Sequence, residues 1–360
     1  MAGSPSVARL DVEPSTWVRP YTPHWYDHLV RWVDRLPGPY WLFYLGLGLI
    51  LFLIETLIQW LDGTYPVGTL NLFHLVWCFV TPYLLGFGHY LYHTAMNALD
   101  DFQPVVNASQ EEFSLLKYQL TNMPLVPGLL ANLAGLAFAT LAALSAPMPL
   151  SQTLNVSSSA LSLAFNYLVW YAVACVALSG TYFILRQQKL VNQIYTRHTS
   201  INLFRLIPLY GFARLGAATA VGVSLFAYVY YASASIGLQT TLPGLVTLLL
   251  SIPVAVVAFI LPLLGIHRLL VKEKQRLLAR NAERMEAALA ELHQEIQKKE
   301  ITGIDALHKA IESLEREQKI LQRISTWPWS PETPRGVLVA VLLPVTVWAI
   351  QRVLQRFLGP

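Results

Sequence analysis

The chain has 360 residues, of which 54% are hydrophobic and 13% charged, and its mean hydropathy is +0.45. A soluble domain carries about 25% charged residues, so this composition excludes a soluble globular, a disordered or a fibrous protein. The two cysteines, Cys78 and Cys175, lie inside apolar runs, which excludes a disulfide framework. We therefore predict an all-α fold: a polytopic helical membrane protein of about seven transmembrane helices, located in the cytoplasmic membrane if the source is prokaryotic.

The N-terminal tail, residues 1–40, contains an amphipathic stretch over residues 23–36. Trp25, Leu29 and Trp32 recur there at three- and four-residue spacing on one face, whereas histidines and arginines line another. Such a helix is typical of the inner membrane surface, where its basic face meets anionic headgroups. The lipid bilayer with anionic headgroups is therefore the predicted partner of the tail.

Seven later stretches are long and apolar enough to cross a bilayer, which takes about 20 helical residues. They are 41–61, 67–93, 125–146, 160–185, 207–233, 242–266 and 336–357. The first six form a predicted transmembrane bundle over residues 41–266. The last belongs to the C-terminal region 327–360, and because Pro344 interrupts it, it either crosses fully or enters as a re-entrant helix.

Basic residues alternate along the chain between rich loops and bare loops. Of the 25 lysines and arginines, four precede the first span, one lies in 94–124, five in 186–214, thirteen in 267–335 and two beyond, whereas 62–66, 147–159 and 234–241 hold none. Basic side chains resist translocation, so the rich loops stay in the cytoplasm. The N-terminus is therefore predicted to be cytoplasmic.

Ionisable residues inside predicted spans are costly to place in lipid and mark candidate functional sites. Glu55 lies in the first span and His74 in the second, equally far from the middle of the short loop between them. We therefore expect the two side chains to be in contact at one depth. A polar link between neighbouring helices and a proton or cation relay are both compatible with this pair.

His89 and His93 share a face near the inner end of the second span. Together with Asp100 and with Arg214 of the fifth span, they are predicted to form a polar patch in the bundle interior. A haem would need a histidine at similar depth on another span, and a metal ion would need further ligands such as Asp100 or Asp101. We therefore predict neither a cofactor nor a metal site.

The sixth span continues without a helix breaker into residues 267–326, where apolar residues recur at heptad spacing on two segments. These segments are predicted to form a cytoplasmic antiparallel coiled-coil hairpin that also offers an interface to a second copy or to a cytoplasmic protein. The predicted interface residues are Leu278, Met285, Leu289, Leu292, Leu307, Ile311 and Leu314. Twelve basic and ten acidic residues from Arg268 to Arg323 nearly balance, so we expect no nucleic-acid partner.

Arg352 and Arg356 lie one turn apart in the last predicted helix, either at the outer interface or lining a pore of an oligomer. In span count and orientation the chain resembles the insect chemoreceptor channels, whose final helix lines a pore. The resemblance is one of topology, and the C-terminal motif of that family is absent. No residue of this chain is assigned a role from it.

Sequence motifs of nucleotide-binding and hydrolytic enzymes (GxGxxG, the Walker A loop, HExxH and GxSxG) are missing, so an enzyme is the least supported class. The sequence favours a membrane-anchored interaction or signal-relay module that self-assembles or binds a partner through the hairpin. An oligomeric ion channel or transporter is the alternative hypothesis. A metal- or haem-dependent membrane enzyme is the third.

Overall fold

The computed structural model describes residues 19–145, 148–197, 203, 207–233, 242–298, 304–329, 335–339, 342 and 346. In this part the chain is helical and contains no strand, which confirms the predicted all-α class. The α-helices are α1 (Trp25–Val33), α2 (Tyr40–Leu61), α3 (Leu72–Phe102), α4 (Gln110–Thr121), α5 (Leu125–Ser145), α6 (Leu150–Leu154), α7 (Ala160–Arg197), α8 (Tyr210–Ser233), α9 (Leu242–Lys298) and α10 (Ile304–Arg323). Residues 335–339 are helical as well.

Within the part of the chain that the structure describes, four helical segments are long and apolar enough to cross a membrane. They are Tyr40–Leu61, Leu72–Val105, Leu125–Ser145 and Ala160–Thr196, and they coincide with the first four predicted spans. Helix α8 and the first part of α9 occupy the positions of the fifth and sixth predicted spans. Most of the seventh, 336–357, lies outside the described residues.

Helix α2 shows a distribution of side chains that reverses the usual pattern of a soluble helix. Its outer face exposes large apolar residues at every third or fourth position, namely Leu42, Leu45, Leu49, Leu53 and Leu57. Its inner face buries the polar residues Glu55, Thr56 and Gln59. Exposed leucines are unfavourable in water and favourable in hydrocarbon, so this face suits contact with lipid.

The largest buried cluster lies where α3, α7, α8 and α9 meet. At its centre, the rings of Phe102, Tyr195 and Phe212 pack edge to face, with centroids 5.2 to 5.4 Å apart. The buried hydroxyl of Tyr195 donates a hydrogen bond of 3.0 Å to the carbonyl oxygen of Leu209. These rings, with the polar end of Tyr195 satisfied, hold the ends of α3 and α7 and the start of α8 together.

The N-terminal segment packs on the rest of the chain. The backbone N–H of His24 donates to the carbonyl of Met123 (3.0 Å), and that of Leu125 donates to Thr22 (3.0 Å). The ring of His24 is buried and accepts a bond from the backbone N–H of Tyr26, which caps α1. The prediction that this histidine lies on an exposed basic face is therefore wrong, because its ring serves as the helix cap.

Helix α10 runs antiparallel to the C-terminal part of α9. The side chain of Asn281 donates to the carbonyl of Leu314 (3.2 Å), and the ammonium of Lys274 donates to that of Gln322 (2.7 Å). Beyond α10, Nδ1 of His267 lies 3.0 Å from the carbonyl oxygen of Thr326. As the residue number rises along α9, the number of its partner in the second segment falls, so the two helices are antiparallel.

Candidate functional site

Glu55 is fully buried within the bundle, and its carboxylate accepts hydrogen bonds from two helices. Oε1 accepts from the amide of Gln59 (2.9 Å), one turn further along α2. Both carboxylate oxygens accept from the amide of Asn166 on α7 (3.2 Å each). The predicted neighbour His74 places Nδ1 at 4.0 Å from Oε1, so the two side chains are adjacent but do not form a hydrogen bond.

The network around Glu55 continues to the segment that precedes α7. The Gln59 amide also donates to Oγ of Ser162 (2.9 Å), and its Oε1 accepts from the backbone N–H of Ser157 (2.9 Å). Nε2 of His74 lies 3.1 Å from the carbonyl oxygen of Leu154. Since a carbonyl oxygen only accepts hydrogen bonds, Nε2 is the nitrogen of His74 that carries the proton in this contact.

Ser162 and Asn166 belong to this network although the sequence reasoning did not include them. A signal was available, because two polar residues spaced by four positions within an apolar span share one helix face. The side-chain bonds of Gln59 and Asn166 join α2 to α7, as a polar link between helices does, while His74 ties α3 to the carbonyl of Leu154 in α6. A proton or cation relay through Glu55 and His74 stays a prediction.

Three side chains converge at the junction of α1 and α3. Nε2 of His89 and Nε2 of His93 lie 2.9 and 3.0 Å from Oδ1 of Asp34, and 3.1 Å from each other. Such a set of two imidazoles and a carboxylate can hold a metal ion. The third ligand is not Asp100 or Asp101, as the sequence suggested for a metal, but the residue that ends α1.

Aromatic side chains from the start of α2 surround these imidazoles. The hydroxyl of Tyr44 lies 3.0 Å from Nδ1 of His89. The ring of Tyr40 stacks on His89 and His93, with centroid separations of 4.4 and 5.6 Å. The two tyrosines also line an apolar cavity of about 820 Å³ between α2, α3 and α8.

Asp100 and Arg214 do not join His89 and His93, so the predicted single patch is wrong. Asp100 shares the helix face of the histidines but lies seven residues beyond His93, which is about 10 Å along the axis. It forms an exposed ion pair with Lys117 of α4 at 2.9 Å. Arg214 pairs with Asp101, also at an exposed position.

A second polar junction, which the sequence reasoning missed, ties α1 to the segment between α4 and α5. Oδ2 of Asp27 accepts from the backbone N–H groups of His24 and Met123, at 3.0 Å each. Burial raises the pKa of Asp27 to about 7, while these two bonds act in the opposite direction. Burial lowers the pKa of His24 to about 4, so its imidazole is neutral at pH 7. Nearby, Arg186 donates to the carbonyls of Gln119 and Asn122.

The helical hairpin buries one of the seven predicted interface residues, Ile311, and partly buries five others. On α10, Ile311 and Leu321 are buried, and Leu307 and Leu314 are partly buried. On α9, Leu270 and Asn281 are buried. Of the predicted residues, Leu278, Met285 and Leu292 are partly buried, whereas Leu289 is 39% exposed.

Arg352 and Arg356 lie outside the described residues, and the pore hypothesis that they carry stays a prediction. Comparison with family models, with curated proteins and with solved structures finds no match for this chain.

Proposed function

We propose that this chain is a seven-span membrane protein with a cytoplasmic N-terminus, whose hairpin of α9 and α10 pairs with the hairpin of a second copy and relays that contact to the bundle. The observation that supports self-association is an apolar stripe on α9 that α10 of the same chain does not cover. The alternation of basic and bare loops supports the orientation, and the four apolar helices support the membrane location.

The uncovered stripe consists of Ala282, Leu289 and Ile296, which are spaced by seven residues. All three are exposed, Leu289 at 39% and Ile296 at 53%, even though α10 of the same chain packs against α9. Seven-residue spacing keeps side chains in one line along a pair of coiled helices. The stripe therefore has the form of a second interface beside the one that holds the hairpin together.

A second copy is the partner that this surface suits best. The hairpin carries twelve basic and ten acidic residues from Arg268 to Arg323, so a copy of it meets little net repulsion. A strongly acidic or basic partner would instead call for a surface of one sign.

The relay rests on the continuity of α9, which runs without interruption from Leu242 to Lys298. At its base, Leu263 and Ile266 are fully buried in the cluster shared with α3, α7 and α8. Trp327, in the chain that leaves α10, stacks on His267 at 3.9 Å. Pairing of the distal hairpin is thereby coupled mechanically to the packing of the bundle.

Cysteine crosslinking in native membranes tests this proposal. In a background with Cys78 and Cys175 replaced by alanine, we expect Leu289→Cys to form a disulfide-linked dimer of the chain on mild oxidation. Glu291→Cys, exposed on the opposite side of α9, is the matched control and should remain monomeric. A monomer for both variants, equal dimer yields, or a crosslink only to a different protein would contradict self-association.

A further inference from the structure

The three donor atoms of Asp34, His89 and His93 have the spacing of ligands around one metal ion. Metal bonds to imidazole nitrogen and carboxylate oxygen are about 2.0–2.2 Å long, so two such ligands at a right angle lie about 3.0 Å apart. The observed separations are 2.9, 3.0 and 3.1 Å. The triangle therefore matches one face of an octahedral coordination sphere, the arrangement of two histidines and a carboxylate at open metal sites.

Hydrogen bonds alone do not account for this triangle when Asp34 is a carboxylate. To donate to Oδ1, each Nε2 must carry a proton, and the two N–H groups then face each other at 3.1 Å. If one Nε2 is instead unprotonated and accepts a hydrogen bond from the other ring, its lone pair lies close to the lone pairs of Oδ1, which repel it. Either way, one of the three contacts is repulsive, whereas a cation accepts an electron pair from all three atoms.

The surroundings of the triangle also favour a cation. Asp34 caps the C-terminal end of α1, where the helix dipole disfavours an acidic side chain and favours a positive charge. The hydroxyl oxygen of Tyr44 lies 3.0 Å from Nδ1 of His89, so it can accept a hydrogen bond from the Nδ1–H group while Nε2 binds a metal. The histidines, spaced by four residues on α3, present both rings on one helix face.

We propose that Asp34, His89 and His93 bind one divalent first-row transition-metal ion. Zn²⁺ and Fe²⁺ are examples of ions that imidazole ligands suit. His89 is fully buried, while the side chains of His93 and Asp34 are 34% and 33% exposed, so the remaining coordination positions face solvent. The ion joins the end of α1 to α3. This proposal is independent of self-association through the hairpin.

Metal titration of the full-length protein in mild detergent tests the site. After removal of metals with a chelator, Co²⁺ serves as the probe, because its visible absorption reports the ligand geometry. We expect one Co²⁺ per chain, displaced by Zn²⁺, and a rise of the melting temperature on binding. Asp34→Asn and His93→Ala should each raise the Kd for Co²⁺ by about 100-fold or more, since even changes behind the ligands cost about 10- to 100-fold.

The variants avoid His89, whose burial makes its replacement a risk for folding. His28→Ala is the matched control: this exposed histidine lies on α1 and contacts Arg31, and its loss should leave the Kd unchanged. An absence of Co²⁺ binding by the wild-type chain would contradict the proposal. So would an unchanged Kd in both Asp34→Asn and His93→Ala, with the melting temperatures of the metal-free variants showing that they are folded.

Discussion

Replacing Glu55 by alanine is expected to lower the free energy of unfolding by about 2 to 5 kcal/mol. The carboxylate is fully buried and accepts one hydrogen bond from Gln59 and two from Asn166. Its removal leaves one N–H of each amide without an acceptor in a region that excludes water, while the bonds of both amides to Ser162 remain, and it opens a cavity between α2 and α7. Unfolding in mixed micelles of increasing SDS fraction measures the loss.

Two further variants show whether the effect comes from the network. Glu55→Gln keeps the shape and one acceptor oxygen, so its loss should be clearly smaller than that of Glu55→Ala. Leu53→Ala, on the exposed face of the same helix, should cost no more than about 0.5 kcal/mol. Equal stability of Glu55→Ala and the wild type would show that this carboxylate does not link the helices.

Gly135→Ala is expected to destabilise the contact of α5 with α7 by about 1 to 3 kcal/mol. A Cβ atom at this position would lie 2.6 Å from the carbonyl oxygen of Ala174 and 2.9 Å from Cα of Cys175. Both atoms belong to the backbone of α7, so the helices must separate to make room. Close approach over small residues is a main source of packing energy between helices in a membrane.

The matched control for this change is Gly180→Ala, on α7 itself. A Cβ atom there meets nothing within 4 Å, and alanine has the higher helix propensity, so this variant should be as stable as the wild type or more stable. The melting temperature in detergent compares the two variants. Equal losses for Gly135→Ala and Gly180→Ala would contradict the close contact between the helices.

The sequence was most informative where a short connection limits the geometry. Glu55 and His74 are equally far from the middle of the predicted loop 62–66, and the structure places the two side chains next to each other. A short connection does not join α1 to α3, nor α7 to α2. Asp34 is 55 residues from His89, and Asn166 is 111 residues from Glu55, so their contacts depend on the tertiary fold.

Hydrophobic periodicity indicated the buried face of α10, but on α9 it also placed Leu289 in the interface, where the structure leaves this residue exposed. A heptad pattern defines a stripe to within about one residue, because neighbouring apolar positions such as Leu277 and Leu278 satisfy it equally well. The structure buries Asn281 in place of a leucine and bonds it to the carbonyl of Leu314. A buried amide in a helix pair fixes the register, and apolar spacing alone does not reveal it.

The orientation of the chain across the bilayer is the central claim, and labelling of single cysteines in intact cells tests it most directly. In a background without Cys78 and Cys175, an impermeant maleimide should label Thr64→Cys and Gln152→Cys from outside. It should reach Ala287→Cys, in the hairpin, only after the membrane is opened. Labelling of the hairpin in sealed cells, with residues 64 and 152 protected, would contradict the proposed orientation.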